Sequence, residues 1–363
     1  MCSLSPSFSL ALGIILVGLS QAIIFMEKLL EFQNLGDDQP SKEDQELLLS
    51  LPRVKSWDLP FLYQYQGFWL PSQFFHGVIN FQKHFQAKDS DIVLATFPKS
   101  GATWLKPLVF TIMNRASSTL ESSPLLSTFS HNIIPFLEML IYTKYQTFSI
   151  LDDLPKPRIL ATHVAYTSLP PSIINSNCRI VYLCRNPLDV FISHWHFIRG
   201  IPIETPFSLD EAFEIFCQGV QAFGPVWDHE LGYWNASLEK SHKILFLKFE
   251  DMKENTAFHV KKLAEFLGCP FTQEEETKGV IKEISEFCSF ENMKKLEVHQ
   301  TGIQTTDGIQ NKNFFRKGKV GDWTNYLTPS MSDRFHKLME EKLGESGLMT
   351  TFSQSSEVRK ETE

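Results

Sequence analysis

Residues 96–104, TFPKSGATW, place a lysine, a serine, a glycine and a threonine directly after the apolar run IVLA. A strand that turns tightly into a helix points backbone N–H groups and the positive end of the helix dipole at one place. Gly101 allows a ligand to approach the backbone, Lys99 adds positive charge, and Ser100 and Thr103 add hydroxyl donors. The cluster predicts a phosphate-type anion site, with an ordinary surface turn as an equal alternative. Its spacing is not that of a Walker A loop.

Two further clusters have the same chemistry. Arg185 ends the apolar run CRIVYLC, and Ser193 follows it by two helical turns. Arg316 and Lys317 precede Gly318 in NFFRKGKVGDW. Arginine suits bidentate phosphate recognition, although an Arg185–Asp189 pair or a solvated basic turn explains each cluster taken alone. The net charge of −8 argues against a nucleic-acid binder. The three clusters together predict a ligand with two phosphate groups and a base between them.

His163, in ATHV, is the candidate general base. A lone strand histidine is more often a core or edge residue, but this one ends an apolar run on the expected ligand side. Its ordinary pKa would let it accept a proton from a hydroxyl. His194 and His196 are two residues apart and do not share a helix face. We expect no metal site, and no motif supports a covalent hydrolase.

The segments that must position these residues alternate between strand and helix. The buried strands predicted from near-continuous apolar runs are DIVLATFP, PRILATHV, CRIVYLCR and KILFLKFE. Helical stretches separate them, so we expect an α/β fold: a single domain with a central parallel sheet flanked by helices, and a P-loop-like loop after the first strand. The segment LYQYQGFWLPSQFFHGVINFQKHF is expected to form a docked loop and a helix.

The expected organisation is an N-terminal extension at 1–55, a domain at 56–350 and a flexible tail at 351–363. Residues 8–26 carry no charge over nearly the length needed to span a bilayer. No Lys or Arg precedes them, so a secretory signal is not indicated. We expect a cytoplasmic protein, with anchoring through residues 8–26 as the alternative. The six cysteines include no CxxC pair, which favours reduced thiols.

Together these motifs resemble the soluble, cytosolic-type sulfotransferase family over about residues 56–350. TFPKSGATWLKPLVF resembles its 5′-phosphosulfate loop, RNPLDVFIS its 3′-phosphate motif and RKGKVGDWTNYLTPSM its C-terminal signature. YQYQGFW and CSFENMKKLEV are most similar to the plant branch. The resemblance implies 3′-phosphoadenylyl sulfate (PAPS) as sulfate donor without a metal. It also implies a small hydroxylated acceptor and adenosine 3′,5′-bisphosphate (PAP) as the second product.

The resemblance also implies residue roles. His163 would be the general base, and Lys99 would offset charge on the leaving phosphate, with Ser193 the third catalytic residue. The residues implied to hold the 5′-phosphosulfate are Lys99, Ser100, Gly101, Ala102 and Thr103. Those implied to hold the 3′-phosphate are Arg185, Ser193, Arg316, Lys317 and Gly318. Those implied to lie around the adenine are Trp104, Phe249, Ser289, Phe290 and Met293.

This chain departs from the family pattern at several positions. Ala102 stands where a threonine is usual, and Phe249 where a tyrosine is usual; each removes a polar contact to the donor. Ala161 stands where animal relatives have a lysine. The animal dimerisation signature is not visible, so we expect a monomer. A weak or catalytically silent nucleotide- or metabolite-binding homologue is therefore the alternative, whereas a P-loop kinase is disfavoured by the loop spacing.

The acceptor pocket is expected to be apolar and aromatic, built from HNIIPFLEMLIY and FIRGIPIETPF. Flavonoids, steroid-like hormones, hydroxyjasmonates and desulfoglucosinolates are all acceptors within the plant branch. The sequence does not distinguish among them.

Overall fold

The computed structural model of the chain describes residues 42–140, 151–201, 207–303 and 309–348. The apolar segment at 8–26 and the tail at 351–363 lie outside these ranges, so the expectations for them stay predictions.

A parallel sheet of four strands is the centre of the fold, with strand order β5-β4-β6-β7. Its strands are β4 (Ile92–Thr96), β5 (Ile159–Thr162), β6 (Arg179–Cys184) and β7 (Ile244–Lys248). They are the four strands predicted from the apolar runs. The predicted fold class is confirmed.

A small antiparallel sheet precedes the central one. Its strands are β1 (Arg53–Val54), β2 (Leu62–Tyr65) and β3 (Phe68–Pro71). The expectation of a docked loop over this segment was wrong, because β2 and β3 form a hairpin. Gln66 and Gly67 both have positive φ, 52° and 87°, which is typical of a two-residue turn whose twist matches that of the strands.

Helices cover both faces of the central sheet. The helices of the described ranges are α1 (Lys42–Ser50), α2 (Ser72–His84), α3 (Ala102–Asn114), α4 (Ser130–Ile133), α5 (Leu137–Leu140), α6 (Pro171–Asn175), α7 (Pro187–Arg199), α8 (Leu209–Cys217), α9 (Val226–Glu239), α10 (Phe249–Glu254), α11 (Thr256–Phe266), α12 (Gln273–Thr277), α13 (Val280–Phe287), α14 (Phe290–Lys295), α15 (Glu297–Thr301) and α16 (Pro329–Leu343). Ser208 and Glu211 form the predicted capping box at the start of α8.

Alternation along the strands divides the core into two apolar clusters. Val93 and Ala95 of β4 face one cluster, which includes residues of α2, α7 and α9. Leu94 faces the other, which includes residues of α3 and α11. Because successive strand side chains point to opposite faces, a strand covered on both sides must be apolar throughout. This burial explains the continuous apolar runs in the sequence.

Candidate functional site

A cavity of about 770 Å³ lies at the carboxyl ends of the central strands. Lys99, His163, Arg185 and Phe249 follow β4, β5, β6 and β7 respectively, and all four line it. Open α/β sheets bind ligands at this edge because parallel strands all end there. The other sequence-predicted site residues that line the same cavity are Gly101, Ala102, Thr103, Trp104, Ser193, Ser289, Phe290, Met293, Arg316, Lys317 and Gly318.

Ser100 is the one predicted site residue that does not line the cavity. It is fully buried, and its hydroxyl has no hydrogen-bond partner among the described residues. Its side chain is therefore placed in the interior of the loop, so the loop offers a ligand the hydroxyl of Thr103 and backbone N–H groups.

The turn between β4 and α3 has the tight geometry that its sequence predicts. Lys99 has a φ of +68° and Gly101 a φ of +121°. A Cβ atom on Gly101 would lie 3.0 Å from side-chain atoms of both Leu183 and Phe249. Glycine is therefore required there for its backbone conformation and for close packing. Helix α3 begins at the next residue, so its N-terminal amides face the cavity.

The Lys99 ammonium lies in an aromatic and cationic environment. Its Nζ atom is 3.7 Å from the centre of the Phe197 ring and 5.1 Å from that of Phe314. Burial, and then the charges of Arg185 and Arg316, lower the pKa of Lys99 to about 7. An anion bound here would offset the positive charges of Arg185 and Arg316 and so favour the ammonium form of Lys99.

Arg185 connects the loop that contains Lys99 with the loop that contains Lys319. Its guanidinium donates to the carbonyl oxygens of Lys319 at 2.7 Å and Lys99 at 3.4 Å, and lies 4.5 Å from the Phe249 ring centre. It also lies 3.7 Å from Asp189, the pairing that the sequence offered as the alternative. The two readings do not exclude each other, because Arg185 makes this ion pair and still lines the cavity.

Asp322 holds the side chains of the third cationic loop, the one that contains Arg316, Lys317 and Gly318. Arg316 and Lys317 donate to its two carboxylate oxygens at 2.6 and 2.7 Å. Burial acts to raise the pKa of Asp322, but these hydrogen bonds outweigh it and lower the pKa to about 2. Asp322 thus holds both cations on the cavity wall. Gly318 has a φ of +62°, and a Cβ there would lie 2.5 Å from the Phe290 ring.

Aromatic rings form the wall between the two groups of cations. Trp104 and Phe249 meet edge to face, with ring centres 5.4 Å apart. Phe290 packs on Phe315 at 5.9 Å. A planar base placed between the cationic loops would contact these rings.

The His163 ring is held in one tautomer. Its Nδ1 atom lies 2.7 Å from the backbone carbonyl oxygen of Thr96. Because a carbonyl only accepts, Nδ1 carries the proton and Nε2 carries the lone pair. The ring stacks on Phe136 at 4.3 Å. Burial lowers the pKa of His163 to about 3, so the imidazole is neutral at physiological pH.

Two residues that the sequence reasoning missed hold the backbone of His163. Glu138 accepts from the His163 amide at 2.6 Å and from the Thr162 hydroxyl at 2.9 Å. His229 lies 2.9 Å from the His163 carbonyl oxygen through Nε2. Glu138 is fully buried, and burial raises its pKa to about 7. A carboxylate within the apolar run PFLEML was the available signal; nothing local marked His229.

Comparison with known proteins agrees with this geometry. Residues 89–347 match the model of the sulfotransferase domain family. Cytosolic sulfotransferase 15 of Arabidopsis thaliana is 47% identical over 320 residues, which cover 86% of this chain and 88% of the relative. Cytosolic sulfotransferase 14 of the same plant is 46% identical over 332 residues, covering 89% and 95%. The chain belongs to the sulfotransferase family.

Solved sulfotransferases share its architecture. A mouse sulfotransferase in complex with PAP superposes with a TM-score of 0.64 at 26% identity, covering 81% of this chain and 98% of the mouse chain. An Arabidopsis thaliana protein proposed to be a steroid sulphotransferase gives 0.67 at 38% identity, covering 86% and 98%. The predicted similarity to plant cytosolic sulfotransferases is confirmed, and the chain is a sulfotransferase by family.

The remainder of the sulfotransferase cavity is lined by apolar side chains together with polar ones, among them Gln73, His131 and Asn132. The predicted acceptor segments contribute Pro135, Phe136, Met139, Phe197, Ile198 and Ile201 to its wall. Among the described residues that line the cavity there is no Asp or Glu. Within the four described ranges, no group of His, Cys, Asp and Glu side chains is arranged to hold a metal ion. No helix of those ranges is long and apolar enough to cross a bilayer.

Proposed function

We propose that this sulfotransferase moves the sulfuryl group of PAPS to a hydroxyl group of a small, apolar metabolite. The observation that carries the proposal is one cavity in which three cationic loops face aromatic rings, with a neutral histidine at the adjoining apolar wall. The structural relative solved with PAP supports the donor. The described residues of the cavity wall include no carboxylate, which favours neutral acceptors over cationic amines, since a buried cation needs a counter-charge.

In the proposed reaction, the acceptor oxygen attacks sulfur in line with the bond from sulfur to the phosphate oxygen. That bond breaks as the new O–S bond forms, and the acceptor proton passes to Nε2 of His163. Lys99 and the N-terminal amides of α3 stabilise the charge that develops on the leaving phosphate. Arg185, Arg316 and Lys317 hold the 3′-phosphate, while Ser193 lies beside it on α7.

The low pKa of His163 fits a base that works only beside the donor. The imidazole is neutral, as a base must be, but weakly basic. The sulfonate and phosphates of PAPS would raise its pKa, because nearby negative charge favours the imidazolium. Proton acceptance is therefore strongest when the donor is bound.

Incubation of the purified full chain with sulfur-labelled PAPS and a panel of hydroxylated flavonoids, steroids, hydroxyjasmonates and desulfoglucosinolates tests this function. We expect label in the acceptor and its loss in His163→Ala. PAP binding without transfer to any acceptor would instead favour the silent homologue, for which Ala102 and Phe249 are the reason. Phosphorylation dependent on ATP and magnesium would favour a kinase.

We also propose that the protein is a cytoplasmic monomer. Its relatives are named cytosolic. Fractionation of the tagged full chain, followed by gel filtration, tests both statements. Recovery in a carbonate-resistant membrane pellet would support anchoring through residues 8–26.

A further inference from the structure

Asp189 is a buried carboxylate beside the cavity, and the proposed transfer does not use it. It lies on α7, one turn after Arg185, with 1% of its surface exposed. It does not line the cavity, so it acts on a ligand only through other residues. Burial of a carboxylate is costly unless its oxygens are paired. The partners of Asp189 therefore indicate its role.

Both oxygens of Asp189 accept from backbone amides at the end of the third cationic loop. Oδ2 accepts from the Gly321 amide at 2.7 Å and Oδ1 from the Trp323 amide at 3.1 Å. These amides open the 3₁₀ turn Asp322–Asn325, and the first amides of a helical turn have no partner within it. Asp189 supplies the partners from α7, and hydrogen bonds to a carboxylate are about twice as strong as neutral ones.

The two bonded amides lie on either side of Asp322. The Asp322 carboxylate accepts from Arg316 at 2.6 Å and from Lys317 at 2.7 Å. Movement of Asp322 would therefore carry both cations away from the cavity wall. Because Asp189 fixes the residues before and after Asp322, it also fixes the place of these two cations.

Arg185 is bound to the same carboxylate. Its guanidinium lies 3.7 Å from Oδ2 of Asp189 and donates to the Lys319 carbonyl oxygen at 2.7 Å. Asp189 thus holds in one arrangement the three cations that are proposed to bind the 3′-phosphate. The 5′-phosphosulfate loop meets this network through a longer contact, 3.4 Å from Arg185 to the Lys99 carbonyl oxygen.

We propose that Asp189 is a positioning residue for the donor and sets the preference of this site for a nucleotide with a 3′-phosphate. It holds the three cations in place before the nucleotide binds, so binding does not have to order them. The inference rests on the donor of the proposed function and adds the residue that selects it. Binding of the adenine and the 5′-phosphate should depend little on Asp189, because their residues lie on other elements.

Two nucleotides that differ in one group test this role. PAP and adenosine 5′-monophosphate (AMP) share the adenine, the ribose and the 5′-phosphate, and only PAP carries the 3′-phosphate. Calorimetry on the purified full chain gives both affinities. Asp189→Asn keeps the shape and one acceptor oxygen but turns an N–H donor toward a backbone amide. We expect PAP affinity to fall by about ten-fold or more, the effect of one lost hydrogen bond to a charged group, and AMP affinity to stay within about two-fold.

Transfer kinetics separate positioning from chemistry. In Asp189→Asn the KM for PAPS should rise, while kcat at saturating PAPS stays within about three-fold of the wild type. The reason is that Asp189 touches neither the reacting sulfur nor His163 in the proposed reaction. Asp189→Ser, whose hydroxyl still accepts from one amide, carries the same expectations and is measured beside Asp189→Asn in case one variant does not fold.

Asp91→Asn is the matched control. Asp91 is also fully buried and does not line the cavity. It likewise binds an arginine, Arg158, and a backbone amide, that of Lys88. Both Asp→Asn variants should lose thermal stability, but only Asp189→Asn should lower the ratio of PAP affinity to AMP affinity.

The outcomes separate this inference from the function beneath it. An unchanged ratio in Asp189→Asn, or an equal fall in Asp91→Asn, would leave Asp189 a structural role only and overturn the inference. A higher ratio would contradict it too, because loss of negative charge near the phosphate would then outweigh positioning. Wild-type protein that binds PAP no more tightly than AMP would overturn the proposed donor and this inference together. Transfer to no acceptor, with the expected ratios, would refute the proposed reaction alone.

Discussion

Nδ1 of His163 donates a 2.7 Å hydrogen bond to the carbonyl oxygen of Thr96, the last residue of β4. The strand that leads into the proposed 5′-phosphosulfate loop therefore also fixes the tautomer of the proposed base. A shift of β4 relative to β5 would disturb the proposed donor site and the proposed base together. Main-chain pairing between these two adjacent strands keeps both in register.

Loss of the His163 imidazole should abolish transfer but not donor binding. In His163→Ala we expect kcat to fall by about a hundred- to ten-thousand-fold, the usual contribution of a general base. PAP affinity by calorimetry should stay within about two-fold, because no phosphate contact is proposed for this residue. His84→Ala is the control, because His84, the last residue of α2, does not line the cavity. A loss of PAP binding equal to the loss of rate would contradict the role of base.

Donor binding should take up a proton at alkaline pH through Lys99. Burial and the neighbouring arginines lower the pKa of Lys99 to about 7. The anionic donor favours the ammonium, so the pKa rises on binding. Below pH 7 the proton is already present; above it, binding must bring one in. PAP affinity should therefore fall as pH rises through 7, by at most about ten-fold per pH unit.

Calorimetry at about pH 8 in two buffers of different ionisation enthalpy measures this uptake. We expect close to one proton for the wild type and almost none for Lys99→Met. Lys278→Met, which removes an exposed lysine paired with Glu274, should behave as the wild type. Equal uptake in Lys99→Met and the wild type would assign the proton to another group.

Restoring the hydroxyl that the loop lacks at Ala102 should strengthen donor binding. Ala102 is the first residue of α3 and lines the cavity. A threonine there would add a donor to the 5′-phosphosulfate, and a hydrogen bond to a charged group contributes about 1.5–3 kcal/mol. We expect PAP affinity in Ala102→Thr to rise by about ten-fold or more. The exposed control Ala116→Thr should leave it unchanged; unchanged affinity in Ala102→Thr itself would mean that the loop already satisfies the phosphate.

The central sheet and the three cationic loops could be predicted because the signals for them are local. Buried parallel strands are apolar throughout, and the loop after each strand lies at one common edge. Glu138 and His229 could not be predicted as supports of His163, since they lie 25 and 66 residues away in sequence and meet it only through packing. The β2–β3 hairpin was missed because its turn, Gln66–Gly67, has a weaker sequence signal than Asn-Gly.

The contact between Gly318 and the Phe290 ring should be required for donor binding. Gly318 and Gly279 both have left-handed backbone, with φ of +62° and +80°. A Cβ on Gly318 would lie 2.5 Å from Phe290, whereas one on Gly279 would meet nothing within 4 Å. Alanine at either position costs about 1–3 kcal/mol of backbone strain, so both variants should lose thermal stability. Only Gly318→Ala must also displace Phe290 from the cavity wall, and we expect its PAP affinity to fall by at least ten-fold while Gly279→Ala binds as the wild type. Equal affinities for the two variants, measured by calorimetry, would show that the third loop does not need this close approach.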